Sequence, residues 1–255
     1  MPDGRQRRRE GSKSVSSSPL SPLQRARSDL GGVAEPDRVE VLQRFFQTGE
    51  GQYGEGDVFL GVRVPNVRKV ARAHRDLSLQ DLQSLLRSRF HEERQLALFI
   101  LVIQFQRGDA ALQKQIYDLY LANTERINNW DLVDGSAHQI VGGYLLERGR
   151  GPLRRLARSN NLWEQRIAII ATLTFIKQKE FEDTFELAEM LLLHPHDLIH
   201  KAVGWMLREV GNRDREALET FLKPRHHTMP RTMLRYAIEK LPESRRREYL
   251  EGRVR

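Results

Sequence analysis

The feature that most constrains the fold is a short motif that recurs five times along the chain. In each copy an alanine follows polar or basic residues and precedes an apolar run. The spacings between these alanines are 40, 31, 34 and 35 residues, and the residues are Ala97, Ala137, Ala168, Ala202 and Ala237. One pair of helices cannot bury its apolar face alone, whereas stacked pairs bury their faces in series. The period therefore predicts an α-solenoid of about five or six helical pairs, although chance recurrence of a common residue is the alternative.

Local patterns agree with an all-α chain. From Arg38 onward the apolar residues recur at spacings of three and four, as in Leu96, Phe99, Ile100 and Ile103, and alternation typical of strands is rare. Glycine and proline interrupt these stretches at short intervals. The punctuation predicts many short helices.

The N-terminal segment has a different character. It is rich in serine, proline and arginine without an apolar period, and it is expected to be a disordered basic tail (1–36) ahead of a repeat domain (37–255). Seven basic residues lie within the first thirty positions: Arg5, Arg7, Arg8, Arg9, Lys13, Arg25 and Arg27. Such a tail is either merely solvated or an arm that contacts phosphates.

The charge balance favours a polyanionic partner. The net charge is +8 and the isoelectric point is about 10.0. A solenoid presents one helix of each pair on its concave face, and basic residues precede four of the repeat alanines. These residues, with one neighbour, form a candidate phosphate track along double-stranded DNA: Arg94, Arg166, Lys201, Arg235 and Arg231. Location on solvated outer faces is the alternative.

The segment from Asn128 to Ala137 is the one least explained by folding. Asn128 or Asn129 is a good N-cap, and Asp131 suits the first turn of a helix. Asp134, followed by two further weak helix formers, has no such structural reason. Trp130 lies one turn before Asp134, so an indole and a carboxylate could contact one ligand together. The alternative is a core tryptophan and an aspartate bonded to a backbone amide of the next repeat.

The remaining tryptophans lie near the starts of two later candidate inner helices. Trp163 is expected in the core, whereas Trp205, like Trp130, is an equally good candidate for the core or for contact with a sugar or cationic base.

Other classes of function find little support. The chain has no cysteine, which excludes disulfides and thiolate zinc sites, and no apolar stretch long enough to span a membrane. The histidines His194, His196 and His200 lack the carboxylates of a zinc site, and the glycines between Gly51 and Gly56 lack the order of a nucleotide-binding loop. We expect no metal, no cofactor, a monomer, and the cytoplasm as the default compartment.

Several blocks resemble the AlkD-like DNA alkylation repair family. They are Asn129-Trp-Asp-Leu-Val-Asp134, Leu162-Trp-Glu-Gln-Arg166-Ile-Ala168, Lys201-Ala-Val-Gly-Trp205-Met-Leu-Arg-Glu209, Asp57-Val-Phe-Leu-Gly-Val-Arg-Val-Pro65 and Met229-Pro-Arg-Thr-Met-Leu-Arg-Tyr-Ala-Ile-Glu-Lys240. The similarity covers about residues 38–250. It implies a right-handed α-α superhelix of HEAT-like repeats with duplex DNA in its concave face.

The resemblance also implies an activity and site residues. It implies a base excision repair glycosylase that hydrolyses the N-glycosidic bond of N3- or N7-alkylated purines. Asp134 would be the catalytic carboxylate, Trp130 and Trp205 would contact the damaged nucleotide, and Arg166 would grip the DNA backbone. One departure is Asn129, which stands where the family has a second tryptophan. A non-catalytic helical-repeat module that binds DNA structures or a protein partner is the competing hypothesis.

Overall fold

The computed structural model describes residues 19–254, and within them the ordered elements are helical. The first half contains α1 (Pro22–Gly31), α2 (Val39–Phe45), α3 (Val64–Ala73), α4 (Leu79–Leu86), α5 (His91–Arg107), α6 (Ala110–Leu121), α7 (Trp130–Asp134) and α8 (Gly143–Leu145). The second half contains α9 (Gly151–Ala157), α10 (Leu162–Ala171), α11 (Leu173–Lys177), α12 (Glu182–Met190), α13 (Asp197–Gly211), α14 (Arg215–Leu222), α15 (Arg231–Ala237) and α16 (Glu243–Leu250). Short 3₁₀ turns lie at Pro36–Arg38 and Thr124–Arg126, and a π-helical turn spans His138–Gly142.

The helices form the predicted solenoid. One series packs side by side along the chain in the order α3, α5, α7, α10, α13 and α15. A second layer covers this series from behind, with α4 and α6 against α5, α9 and α12 against α10, and α14 against α13. Among the described residues the one β-type contact is an isolated bridge between Val58 and Phe90. The fold is therefore an all-α stack of helical repeats.

The five repeat alanines are all buried in the core. Small residues beside them allow the inner helices to approach closely. A Cβ on Gly204 of α13 would lie 2.5 Å from the carbonyl oxygen of Met233 and 2.5 Å from Cβ of Tyr236. Because backbone would have to move to admit such an atom, glycine at this position sets the spacing of α13 and α15.

The predicted boundary of the N-terminal tail is wrong. Residues 1–18 lie outside the described part of the chain, but Pro22–Gly31 folds as α1. Ser21 and Gln24 form a capping box at its start, and Pro22 occupies the first turn. Ala26 and Leu30 are completely buried, and the helix packs on α3. Two buried apolar side chains one turn apart were too short a period to detect among so many polar residues.

The inner helix that carries Trp130 is interrupted. Asn129 caps α7, with its side-chain oxygen accepting from the backbone N–H of Trp130 at 2.8 Å. The regular helix ends at Asp134, Gly135 follows it, and the chain continues through the π-helical turn into α8. The π-helical turns of proteins occur frequently at functional sites. The break places the carboxylate of Asp134 at the end of a very short helix.

Candidate functional site

A cleft of about 860 Å³ opens across the inner helices. Residues of α7, α10, α13 and α15 line it, and the loop that follows α2 closes one side. The residues that line it are Phe45, Gln47, Gly51, Gln52, Tyr53, Trp130, Asp134, Arg166, His196, Asp197, Leu198, Lys201, Trp205, Arg208 and Tyr236. The structure thus brings together Asp134, Trp130 and Trp205, the three predicted catalytic residues, although α7 and α13 are separated by many residues in the chain.

Asp134 and Arg166 form an ion pair on the floor of the cleft. Nε and Nη2 of Arg166 donate to the two carboxylate oxygens of Asp134 at 2.9 and 2.8 Å. Nη1 of Arg166 donates to the backbone oxygen of Leu198. The Arg166 side chain is 5% exposed, while the Asp134 side chain retains 19% exposure toward the cleft. A bidentate pair of this kind fixes the plane of the carboxylate.

Burial and Arg166 act on Asp134 in opposite directions. Burial raises the pKa of Asp134, and the nearby carboxylate of Asp131 adds to that effect. Arg166 lowers the pKa through its charge and hydrogen bonds, but the net pKa is above the ordinary value. Arg166 therefore favours the ionised form of an otherwise poorly solvated carboxylate.

Trp130 stands at the centre of an aromatic cluster. The Phe46 ring stacks on it with centroids 5.4 Å apart, and Phe45 meets it edge to face at 5.8 Å. Phe46 is buried, whereas Phe45 is 61% exposed and lines the cleft. The role of Phe45 is not apparent from the sequence, because one aromatic residue at a helix end gives no signal by itself. Its exposure beside Trp130 is what makes it a candidate contact residue.

Residues of α13 and α15 line the opposite side of the cleft. Trp205 is half-buried and donates from Nε1 to the Glu209 carboxylate at 3.3 Å. Lys201 lines the cleft one turn away and pairs with Asp197 at 2.7 Å. Tyr236 of α15 extends this wall. Trp130 and Trp205 therefore present aromatic surfaces to one space that also contains the carboxylate of Asp134.

The loop between α2 and α3 crosses the inner face of the molecule. Tyr53 at its tip lies edge to face with Trp163 of α10, with centroids 6.1 Å apart. Trp163 is itself buried, as predicted. The loop is held by its own hydrogen bonds, including Gly51 N to the Glu55 carboxylate at 2.9 Å and Gly54 N to Gln47 O at 3.1 Å. Its place beside Asp134 was not apparent in the sequence.

A second, more apolar cleft of about 590 Å³ adjoins the first. The two share Phe45, Trp130 and Asp134. Arg68 of α3 lies at its edge, with its guanidinium 4.3 Å from the centroid of the Phe99 ring. Phe45 and Trp130 thus form a ridge with Asp134 reachable from both sides.

The structure buries two members of the predicted basic track. Arg94 is 3% exposed and pairs with Asp57 at 2.5 Å, so its assignment as a DNA contact is wrong. Arg166 is buried beside Asp134 and not an open phosphate clamp, although it lines the cleft. Arg231 and Arg235 are exposed on α15, and no carboxylate pairs with them among the described residues. With Lys201 they remain predicted DNA contacts.

Histidines near the cleft do not form a metal site. His194 and His200 are bonded to neighbouring main-chain groups, and burial lowers the pKa values of His194 and His196. Within residues 19–254 no group of three potential ligands could hold a metal ion.

A family model described as DNA alkylation repair enzyme matches residues 26–241. This chain belongs to the DNA alkylation repair enzyme family. The match begins inside α1 and takes in every cleft residue, so the cleft lies entirely within the family domain. No curated protein matches the sequence.

The fold of this family member is found in a solved structure. It is similar to a predicted DNA alkylation repair enzyme from Enterococcus faecalis, with a TM-score of 0.63 and 14% identity. The similarity covers 82% of this chain and 97% of that chain. At this identity the comparison supports the helical-repeat architecture. No helix in the part of the chain described here is long and apolar enough to cross a membrane.

Proposed function

We propose that this family member is a DNA glycosylase that hydrolyses the N-glycosidic bond of N3- or N7-alkylated purines in duplex DNA. The observation that carries the proposal is the carboxylate of Asp134, which is oriented by Arg166 and opens into a cleft between Trp130 and Trp205. The family provides the context of alkylated DNA. The residues of the cleft supply the carboxylate and the aromatic rings that the proposed reaction would use.

A single carboxylate is sufficient in kind for this reaction. Alkylation at N3 or N7 makes the purine a cationic leaving group, so the bond breaks without a general acid and the sugar becomes oxocarbenium-like. This removes half of the two-carboxylate requirement of ordinary glycosidases. An anion about 4 Å from the developing cation, at an effective dielectric near 20, stabilises it by about 4 kcal/mol. Asp134 fills that role when it is ionised.

The aromatic residues would supply the remaining contacts. The faces of Trp130 and Trp205 attract cationic groups, and a cationic sugar or base between them gains from both rings. Phe45 offers a further exposed ring for stacking on a neighbouring base. Lys201, Arg231 and Arg235 would contact phosphates on the α13 and α15 side. The arrangement needs no metal and no cofactor.

The test is incubation of the protein with a duplex that contains a single N7-methylguanine, followed by detection of the released base and of the abasic site. Release above the spontaneous rate supports the proposal, and an unmodified duplex is the substrate control. Tight binding of both duplexes without release would contradict it and favour a binding module. Failure to bind either duplex would also contradict the proposal that the cleft binds DNA.

A further inference from the structure

The first turn of α5 contains four consecutive ionisable residues that are all buried, namely His91, Glu92, Glu93 and Arg94. Each has partners from another part of the fold. Glu92 accepts hydrogen bonds from the backbone N–H groups of Leu60, Gly61 and Val62. Glu93 forms an ion pair with Arg27. Arg94 forms an ion pair with Asp57. Buried charges persist only when they are paired and hydrogen-bonded. This turn is therefore a connecting point between segments and not a solvated helix end.

His91 bridges two carboxylates. Its Nδ1 lies 3.1 Å from Oδ2 of Asp57, and its Nε2 lies 2.9 Å from Oδ2 of Asp131. A neutral imidazole can donate from only one nitrogen, so two carboxylate partners require the doubly protonated form. Burial by itself would lower the pKa of His91, but Asp131 and Asp57 raise it to about 9. Arg94 supplies the second positive charge beside Asp57, so two cations balance two carboxylates.

The network fixes the segment on both sides of Trp130. Asp131 follows Trp130 and accepts from His91 and from Gln95 Nε2 at 2.9 and 2.7 Å. Asn129 precedes Trp130 and donates from Nδ2 to Asp57 at 3.4 Å. Because α7 has only five residues, it cannot be stable without such contacts. The departure from the family pattern at Asn129 thus coincides with a completely buried amide in this network.

Aromatic rings connect the network to the cleft. The ring of His91 stacks on Phe59 with centroids 4.7 Å apart and lies 5.0 Å from Phe46. Phe46 stacks in turn on Trp130. His91 is not among the residues that line either cleft. Any effect of His91 on bound DNA must therefore pass through α7 and this stack.

We propose that His91, as an imidazolium between Asp57 and Asp131, is the positioning residue of the candidate site, which holds α7 so that Trp130 and Asp134 face the cleft. The charged groups around it are Asp57 from the segment before α3, Asp131 from α7 and Arg94 from α5 itself. The catalytic consequence rests on the proposed glycosylase function. The positioning of α7 does not.

The test of positioning uses the folded protein without substrate. In a chain with Trp163→Phe and Trp205→Phe, the remaining indole of Trp130 reports on α7 by its fluorescence and by its quenching with acrylamide. We expect His91→Gln to alter both, because the bridge to Asp131 is lost. His74→Gln is the matched control, since His74 also bonds one aspartate, Asp29, at 2.7 Å, but lies outside the cleft. Unchanged Trp130 signals in His91→Gln would overturn the proposal.

Nitrogen NMR of the imidazole gives a second test, because it reports the protonation state of His91 directly. Both ring nitrogens of His91 should carry protons at neutral pH, and Asp131→Asn should lower the pKa of His91 by about one unit or more. Because Asp131→Asn keeps the size of the side chain, it also serves if His91→Gln does not fold. A neutral imidazole at neutral pH would overturn the proposal.

The effect of His91 on catalysis is measured in a single-turnover excision assay at saturating DNA. His91→Gln should slow excision by about 100-fold, as expected for a displacement near 1 Å, with a DNA Kd within about threefold of the unsubstituted protein. Excision by the unsubstituted protein should fall as the pH rises through about 9, where His91 loses its second proton, and this fall should be absent from the variant. Excision at the full rate would overturn the proposal. If the unsubstituted protein releases no base, the proposed function fails, and the Trp130 and NMR measurements decide the positioning role by themselves.

Discussion

The pair of Asp134 and Arg166 combines two requirements that conflict in most places on a protein. The carboxylate must be poorly hydrated to act strongly on a nearby cation, yet it must remain ionised. Burial satisfies the first requirement and Arg166 the second. Since the net pKa of Asp134 remains above the ordinary value, excision should fall on acidification at a higher pH than an exposed aspartate would give.

Asp134→Asn separates the chemistry from the scaffold. Asparagine keeps the size but removes the charge, so excision of an alkylated purine should drop by about two to three orders of magnitude while DNA binding persists. The rate is measured as base released in a single turnover. Asp183→Asn is the matched control. Asp183 also pairs with an arginine, Arg150, at an N–O distance of 2.6 Å, but neither residue lines the cleft. Equal losses of excision in the two variants would mean that charge pairing merely maintains the fold.

Phe45→Ala tests the exposed ring beside Trp130. Stacking of an aromatic side chain on a base contributes about 1–3 kcal/mol, so the DNA Kd should rise by about 5- to 150-fold. The melting temperature should change little because the ring is mostly exposed. Val41→Ala on the same helix removes another exposed apolar side chain and should leave binding unchanged. A stability loss without a change in Kd would assign Phe45 to packing alone.

At the scale of elements, α1 belongs to the folded domain. Its buried face packs on α3, and two polar contacts join it to the next helices, namely the ion pair of Arg27 with Glu93 and a hydrogen bond of 2.7 Å between His74 and Asp29. The N-terminal helix therefore covers the end of the solenoid, where an inner helix would otherwise expose its apolar side.

Leu30→Ala measures this contribution. Leu30 is completely buried, so the truncation should lower the free energy of unfolding by about 3 kcal/mol. Leu20→Ala, at a half-exposed position before the helix, should cost less than about 0.5 kcal/mol. Chemical denaturation gives both values. Equal small effects would show that α1 contributes little to the domain.

At the scale of the whole molecule, the pH dependence of stability should reveal the network of His91. The pKa of His91 is about 9 in the folded chain against about 6.5 in an unfolded one. Its contribution is complete below pH 6.5 and is lost as the pH rises through about 9. One pKa unit corresponds to about 1.4 kcal/mol, so up to about 3 kcal/mol is involved. Denaturation at several pH values should show this slope, and His91→Gln should lack it.

DNA binding should depend steeply on salt, since exposed cations on α13 and α15 displace counterions from phosphates. Arg235→Gln should reduce the slope of log Kd against log salt by about one. Arg247→Gln on α16 is the control, because Arg247 is exposed but paired with Glu243 and lies away from the cleft. A slope that Arg235→Gln leaves unchanged would exclude that residue from the phosphate track.

The sequence by itself determined the class of fold and pointed to the centre of the candidate site. Helical periodicity and an asparagine cap at position 128 or 129 depend on residues a few positions apart, and the alanine period can be read directly along the chain. They predicted the solenoid, and the Trp130–Asp134 pair was identified because the segment fits a helix poorly. The structure places both of these residues, with Trp205, on one cleft.

Only the tertiary structure decided which charges are buried. Arg94 and Lys201 each precede a repeat alanine, but Arg94 meets Asp57, which lies 37 residues away in the sequence, whereas Lys201 stays partly exposed. Likewise His91 meets Asp131 across 40 residues. The free energy of a buried charge depends on partners brought close by folding, and no local pattern specifies their distance. For the same reason the sequence did not predict that Tyr53 and Phe45 line the cleft, because their positions depend on how the helices pack.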